Sequence, residues 1–117
     1  FSTTETGAFQ NESHYHKVAD ETLEDMQDAI EERLEEAGIA DFELNLASGV
    51  LTMAFPPHGT WVINKQTPNE QLWWSSPISG PRRYEYDFDS EEWIFTRDES
   101  HSSTIQMELS KEIKEIH

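Results

Sequence analysis

Residues 42–55 read Phe42-Glu43-Leu44-Asn45-Leu46-Ala47-Ser48-Gly49-Val50-Leu51-Thr52-Met53-Ala54-Phe55, and this stretch decides the fold. Phe42, Leu44 and Leu46 alternate with Glu43 and Asn45, and Leu51, Met53 and Phe55 resume the alternation after Ser48-Gly49. Apolar residues at a period of two mark a strand with one buried and one wet face. A Ser-Gly dipeptide between two such runs predicts a turn that folds the second strand back on the first. The pattern continues downstream. Pro56, Pro57 and Gly59 precede Trp61 and Ile63, and Thr67-Pro68-Asn69 precedes Leu72 and Trp74. Ser79-Gly80-Pro81 precedes Tyr84, Tyr86 and Phe88, and Asp89-Ser90 precedes Trp93 and Phe95. Six short strands joined by short links predict a largely antiparallel meander.

Outside this region the period changes to that of a helix. Tyr15, Val18, Ala19, Thr22, Leu23, Met26, Ala29, Ile30, Leu34 and Ala37 fall on one face, and Gly38 stands where a left-handed cap closes a helix. The spacing predicts a helix from about His14 to Ala37. Residues 1–13 are polar and aperiodic and read as a loose tail, which leaves 14–117 as the folded domain. At the other end Ser103-Thr104-Ile105-Gln106 reads as a capping box, followed by Ile105, Leu109, Ile113 and Ile116 at helical spacing. Because one strand parity is apolar and the other polar, the sheet needs cover on one face only, and two amphipathic helices supply it. The fold class is therefore α+β: a two-layer sandwich ordered helix, six-stranded mainly antiparallel sheet, helix, with both helices on one sheet face.

Composition narrows the function. The 117 residues carry 24 Asp and Glu against 8 Lys and Arg, a net charge of −16, and no Cys. This is one domain's length. The charge argues against nucleic acid and anionic membrane surfaces as partners, since both are held by clustered Lys and Arg. Without thiols, any metal chemistry must use oxygen or imidazole. No nucleophile elbow, phosphate-cradling loop or paired Glu-x-x-His signature occurs, so no conventional catalytic residues are identified.

Eleven carboxylates lie between Asp20 and Glu43, with Arg33 the sole cation among them. Glu24, Asp28, Glu31 and Glu35 form a row opposite the apolar stripe, where each like-charged neighbour costs about 0.2–0.5 kcal/mol. The row reads either as a solvated face or as a surface for a cation or a basic partner; the missing Lys favours the second. Open carboxylates on a convex helix suit hard cations and iron, weakly and with little selectivity. His16 and Asp20, one turn apart, read first as a simple surface ion pair and second as two groups that could share a cation. Asp87-x-Asp89-x-Glu91 begins like a calcium loop, with Asp98 at the twelfth place, but Glu92 stands where the turn Gly is required. Asn11-Glu12-Ser13 matches a glycosylation sequon, a weak pattern.

Strand parity singles out a second surface. If Trp61, Ile63, Leu72, Trp74 and Tyr84 face the helices, then Asn64, Gln66, Gln71, Trp73 and Arg83 face away. An amide-rich patch around an exposed Trp with an Arg beside it has the composition of a protein-binding hot spot.

The stretch Gly59-Thr60-Trp61-Val62-Ile63-Asn64-Lys65-Gln66-Thr67-Pro68-Asn69-Glu70-Gln71-Leu72-Trp73, followed by Ser75-Ser76-Pro77-Ile78-Ser79-Gly80-Pro81-Arg82-Arg83-Tyr84, resembles the signature of the frataxin family in its mitochondrial, eukaryotic form. The order helix, six strands, helix with an acidic first helix is similar across residues 14–116. The resemblance implies a mitochondrial matrix protein that binds Fe²⁺ and Fe³⁺ weakly and promotes iron–sulfur cluster assembly by engaging a cysteine desulfurase and its scaffold protein. It implies partner contacts at Asn64, Gln66, Gln71, Trp73 and Arg83, and an iron and desulfurase surface at Asp20, Glu21, Glu24, Asp28, Glu31, Asp41 and Glu43, with His16 nearby. The family is also credited with ferroxidase activity and iron-dependent self-assembly, which makes an iron-oxidising or iron-storing protein the alternative. Glu70 stands where relatives often carry Lys, and Trp74 where an aliphatic residue is usual.

Overall fold

The computed structural model describes residues 8–97 and 103–116. Helix α1 spans Glu12–Glu36 and helix α2 spans Ile105–Ile116. Between them lie β1 (Glu43–Ala47), β2 (Val50–Phe55), β3 (Gly59–Gln66), β4 (Gln71–Ser76), β5 (Gly80–Asp87) and β6 (Glu92–Phe95). The strands form one sheet in the order β1-β2-β3-β4-β5-β6, and every neighbouring pair is antiparallel. The meander and the two-layer α+β class expected from the alternation are what the chain adopts.

Local chemistry explains the element boundaries. Asn11 adopts extended backbone and its Oδ1 accepts from His14 N–H at 2.8 Å, capping α1 two residues before the predicted start. The sequon Asn is thus a helix cap here. At the other end Ile39 N–H donates to Leu34 O and Gly38 N–H to Glu35 O, the paired bonds of a Schellman motif, with Gly38 at φ +73. Ser48 and Gly49, at φ +53 and +77, form the hairpin turn between Ala47 and Val50. Helix α2 begins one residue later than the capping box implied: Met107 N–H donates to Thr104 Oγ1 at 3.2 Å, so the cap is Thr104, not Ser103. The calcium-like segment is a turn, in which Asp87 accepts from Asp89 N–H at 3.1 Å and from the Ser90 hydroxyl at 3.0 Å; Asp98 lies outside the described residues.

The core lies between the sheet and both helices. α1 contributes Tyr15, Ala19, Leu23, Met26, Ile30 and Leu34, a narrower stripe than the sequence implied, since Ala29 and Ala37 are exposed. Three Trp are fully buried, and each indole N–H has a partner, as buried polar groups require. Trp61 donates to Glu112 at 2.9 Å, Trp74 to Ser79 Oγ at 3.0 Å, and Trp93 to Thr22 Oγ1 at 2.9 Å. These bonds lock β3 to α2 and β6 to α1. Phe9, inside the segment read as a tail, is half-buried: its ring lies 5.4 Å from Tyr15, 5.5 Å from Tyr86 and 4.9 Å from Phe88. Residues 1–7 lie outside the described residues.

Candidate functional site

The acidic face of α1 is solvent-exposed along its length. Glu21, Glu24, Asp28 and Glu31 are exposed on the helix, and Asp41 and Glu43 carry the charge onto the start of β1. Among the described residues, no three His, Asp or Glu groups converge closely enough to enclose a metal ion. The ridge is an open row of oxygen ligands, the geometry for weak and salt-sensitive cation binding.

His16 and Asp20 both contact the Lys65 ammonium. Lys65 follows Ile63 on the inward parity of β3, and its long side chain runs out between the layers to the edge of α1. Its Nζ lies 2.8 Å from Asp20 Oδ1 and 2.9 Å from His16 Nδ1. An ammonium has no lone pair, so Nδ1 must be the acceptor, which leaves the ring proton on Nε2, 3.5 Å from Glu12 Oε1. The imidazole lone pair that a metal would need is therefore committed to Lys65. Asp20 and Lys65, together with Glu24 and Ser48, border a recess of 330 Å³ beside the β1–β2 turn. Lys65 was missed in the sequence because a charged residue at an inward position identifies no partner by itself.

The opposite sheet face assembles the parity-derived residues in register. Asn64 pairs with Trp73, which pairs with Arg83; Gln66 pairs with Gln71, which pairs with Glu85. All five residues named from parity occupy adjacent positions on three strands. Trp73 is half-buried, its Nε1 donating to Gln71 Oε1 at 2.8 Å, and the Arg83 guanidinium stacks on its ring at 4.9 Å. Gln71 in turn donates Nε2 to Glu85 at 2.9 Å. Gln71 is only 7% exposed, so it acts as a clamp beneath the patch rather than as open surface. Tyr15 Oη donates to Gln71 O at 2.7 Å, tying the first turn of α1 to the start of β4, and burial pushes the Tyr15 hydroxyl up to about 12. Of the two departures from the family signature, Glu70 is exposed at φ +53 and Trp74 is buried in the core.

A third cluster, which the sequence reading did not name, lies in the core. Glu112 is fully buried, and its Oε1 accepts from Trp61 and from the Ser76 hydroxyl. Glu108 lies beside it, 3.3 Å from Arg82. The hydrogen bond to Glu112, followed by burial, raises the Glu108 pKa, with Arg82 opposing. Burial pushes Glu112 up, but hydrogen bonds from Glu108, Ser76, Ser79 and Trp61 outweigh it and hold its carboxyl below the usual range. The two carboxyls are thus pushed apart, Glu108 toward its protonated form and Glu112 toward its ionised form.

Fold and surfaces together define a class: a small acidic α+β two-layer sandwich with carboxylates exposed along its first helix and amides around a Trp on its open sheet face. The frataxin-like domain family matches residues 8–116, and the chain belongs to that family. It is 51% identical over 85 residues to the mitochondrial frataxin homolog of Schizosaccharomyces pombe, covering 73% of this chain and 54% of that protein. It is 40% identical over 102 residues to mitochondrial frataxin of Dictyostelium discoideum, covering 87% and 51%. The chain thus spans about half the length of these curated relatives. Trimeric yeast frataxin from Saccharomyces cerevisiae, complexed with ferrous iron, superposes with a TM-score of 0.71 at 35% identity, over 84% of this chain and 83% of that one. The relatives are mitochondrial frataxins, and this chain is a mitochondrial protein of their family.

Proposed function

We propose that this chain acts in the mitochondrial matrix as an iron-binding promoter of iron–sulfur cluster assembly, docking on the cysteine desulfurase–scaffold complex and accelerating sulfur transfer. The observation that carries this reading is the Asn64–Trp73–Arg83 row, in which a half-buried indole is held by Gln71 on one side and capped by a guanidinium on the other. Pre-oriented aromatic and Arg side chains are what tight protein contacts use, because little rotamer freedom is lost on binding. Trp73 and Asn64 shift the complex toward the state in which a mobile desulfurase cysteine reaches the scaffold, a population effect and not chemistry at this surface. Iron is cargo on the ridge formed by Asp20, Glu21, Glu24, Asp28, Glu31, Asp41 and Glu43, with His16 at its margin, and either delivers metal to the scaffold or regulates the encounter. Trp73→Ala is expected to leave the fold intact and abolish stimulation of sulfide or cluster formation by the desulfurase–scaffold complex; undiminished stimulation overturns the reading.

The ferrous complex of the trimeric yeast relative supports a second reading, in which the ridge oxidises or stores iron in a self-assembled form. This reading requires catalytic consumption of Fe²⁺ and oxygen, lost when Glu24→Gln, Asp28→Asn and Glu31→Gln are combined and unaffected by Trp73→Ala.

A further inference from the structure

Three of the chain's eight cations, Arg82, Arg83 and Arg97, line one cleft of 570 Å³ at the margin of the sheet where β6 ends at Phe95. Thr96 N–H donates to Arg83 O at 3.0 Å, which extends the β5–β6 ladder one step and lays Thr96 and Arg97 beside Arg82 and Arg83. Aromatic rings position two of the guanidiniums. Arg82 lies over the Phe95 ring at 4.5 Å, with one amine 3.3 Å from Glu108; Arg83 lies over Trp73 at 4.9 Å. A guanidinium stacked by its face leaves its N–H edge free for a planar oxyanion. Among the described residues, neither Arg83 nor Arg97 has a carboxylate within ion-pair distance, although the chain has 24 to offer. Arg83 and Arg97 therefore leave uncompensated positive charge at the cleft beside the Glu108-paired Arg82, and an anion placed there neutralises it.

We propose that this cleft is a binding site for a compact organic or inorganic polyanion bearing two or more carboxylate or phosphate groups. Arg83 and Arg97 are the direct contacts, and Arg82 closes the inner end with the donors that Glu108 does not use. The volume lies within the ~300–1,000 Å³ of small-molecule sites, and the cleft wraps the margin of the sheet, with the Phe95 ring under Arg82 on the helix side and the Trp73 ring under Arg83 on the open side. The net charge of −16 does not forbid it. Helix α1 packs over β1 and β2, and β1 lies four strand spacings from β5, roughly 19 Å, or about two screening lengths at physiological ionic strength. The inference goes beyond the reading of the sheet face as a partner surface, and its test uses the chain alone, so either can fail without the other.

The test is a titration of the ¹⁵N-labelled chain with citrate and, separately, with pyrophosphate, at constant ionic strength and against a chloride control. Saturable shifts at the Trp73 indole and at the Thr96 and Arg97 amides are expected. Arg97→Gln is expected to weaken binding about tenfold, the loss of a charge-assisted contact, while Arg33→Gln binds as the wild type does. The tighter of the two anions tells whether carboxylate or phosphate is the native chemistry. Shifts that grow linearly without saturating, or equal affinity in Arg97→Gln, overturn the proposal.

Discussion

The ammonium of Lys65 sits 2.8 Å from the carboxylate of Asp20, filling with a tethered cation the position at which helix α1 would otherwise offer Asp20 to a metal. Lys65 is held there from below: a Cβ added to Gly49 would lie 2.5 Å from its Cε, and Lys65 N–H donates to Gly49 O at 3.0 Å. Divalent cations must therefore compete with Lys65 at this end of the ridge but not at Glu24, Asp28 or Glu31. Lys65→Met is expected to strengthen Fe²⁺-induced NMR perturbation at Asp20 and His16 by about fivefold, equivalent to the ~1 kcal/mol of a half-exposed ion pair, and to leave Glu31 unchanged. Equal perturbation in both proteins would mean that Lys65 does not guard the site.

The Glu108–Glu112 pair makes stability depend on pH in two opposite ways. Glu108, with its raised pKa, contributes stability that is full below the unfolded value of 4.5 and is lost as pH rises through the folded value. Glu112, with its lowered pKa, contributes stability that is present above 4.5 and is lost as pH falls through its folded value. Glu108→Gln keeps a donor for Glu112 and removes the unwelcome charge. Urea denaturation is expected to find this variant as stable as wild type near pH 4 and more stable above neutrality. Glu112→Gln should lose stability at neutral pH by ~1–3 kcal/mol, since Trp61 and Ser76 then donate to a neutral group. A wild-type advantage over Glu108→Gln at pH 8 would show that the Arg82 pair outweighs burial.

Trp73 owes its orientation to a residue that a partner would barely touch. Gln71 bridges Trp73 and Glu85 from beneath the patch. Gln71→Leu preserves the volume and breaks both bonds, so Trp73 remains but loses its preferred rotamer. Affinity for the desulfurase–scaffold complex is expected to fall by about three- to tenfold, the cost of ordering one large side chain on binding, with the thermal midpoint little changed. Affinity equal to wild type would show that the indole is oriented by Arg83 and its neighbours instead.

Strand positions and facing were legible because a sheet wet on one side writes its orientation into every second residue. From Phe42 to Phe95 this alternation by itself puts Asn64, Trp73 and Arg83 on one face. What alternation cannot reveal is where a long side chain ends. Lys65 and Arg82 both occupy inward positions, and their partners Asp20 and Glu108 are set by how the two helices cross the sheet. Gly38 closes α1 as its position implied, whereas the N-cap of α2 is displaced for a different reason. Ser103 and Thr104 are both competent N-cap residues, and the Ile94–Thr104 bridge, a tertiary contact, selects the second.

Phe9 tests how far the folded unit extends toward the N-terminus. A single apolar residue in a polar segment has no period, so nothing local distinguishes an anchor from a solvated side chain. Its ring is nonetheless edge-on to Tyr15 and Phe88 and tilted against Tyr86 and Trp93, bridging the start of α1 to the β5–β6 hairpin. It is only partly buried, so Phe9→Ala should cost less than the ~3–5 kcal/mol of a full core Phe truncation, about 1.5–3 kcal/mol. The urea midpoint is expected to fall with the m-value unchanged, and the Trp93 environment, seen in near-UV circular dichroism, to loosen. The sheet-face row centred on Trp73 is separated from this cluster by the sheet itself and should keep its activity with the desulfurase–scaffold complex at temperatures where the variant remains folded. A loss below 0.5 kcal/mol, within the range of ordinary surface substitutions, would place the boundary of the folded unit after Phe9 and return the segment to a tail.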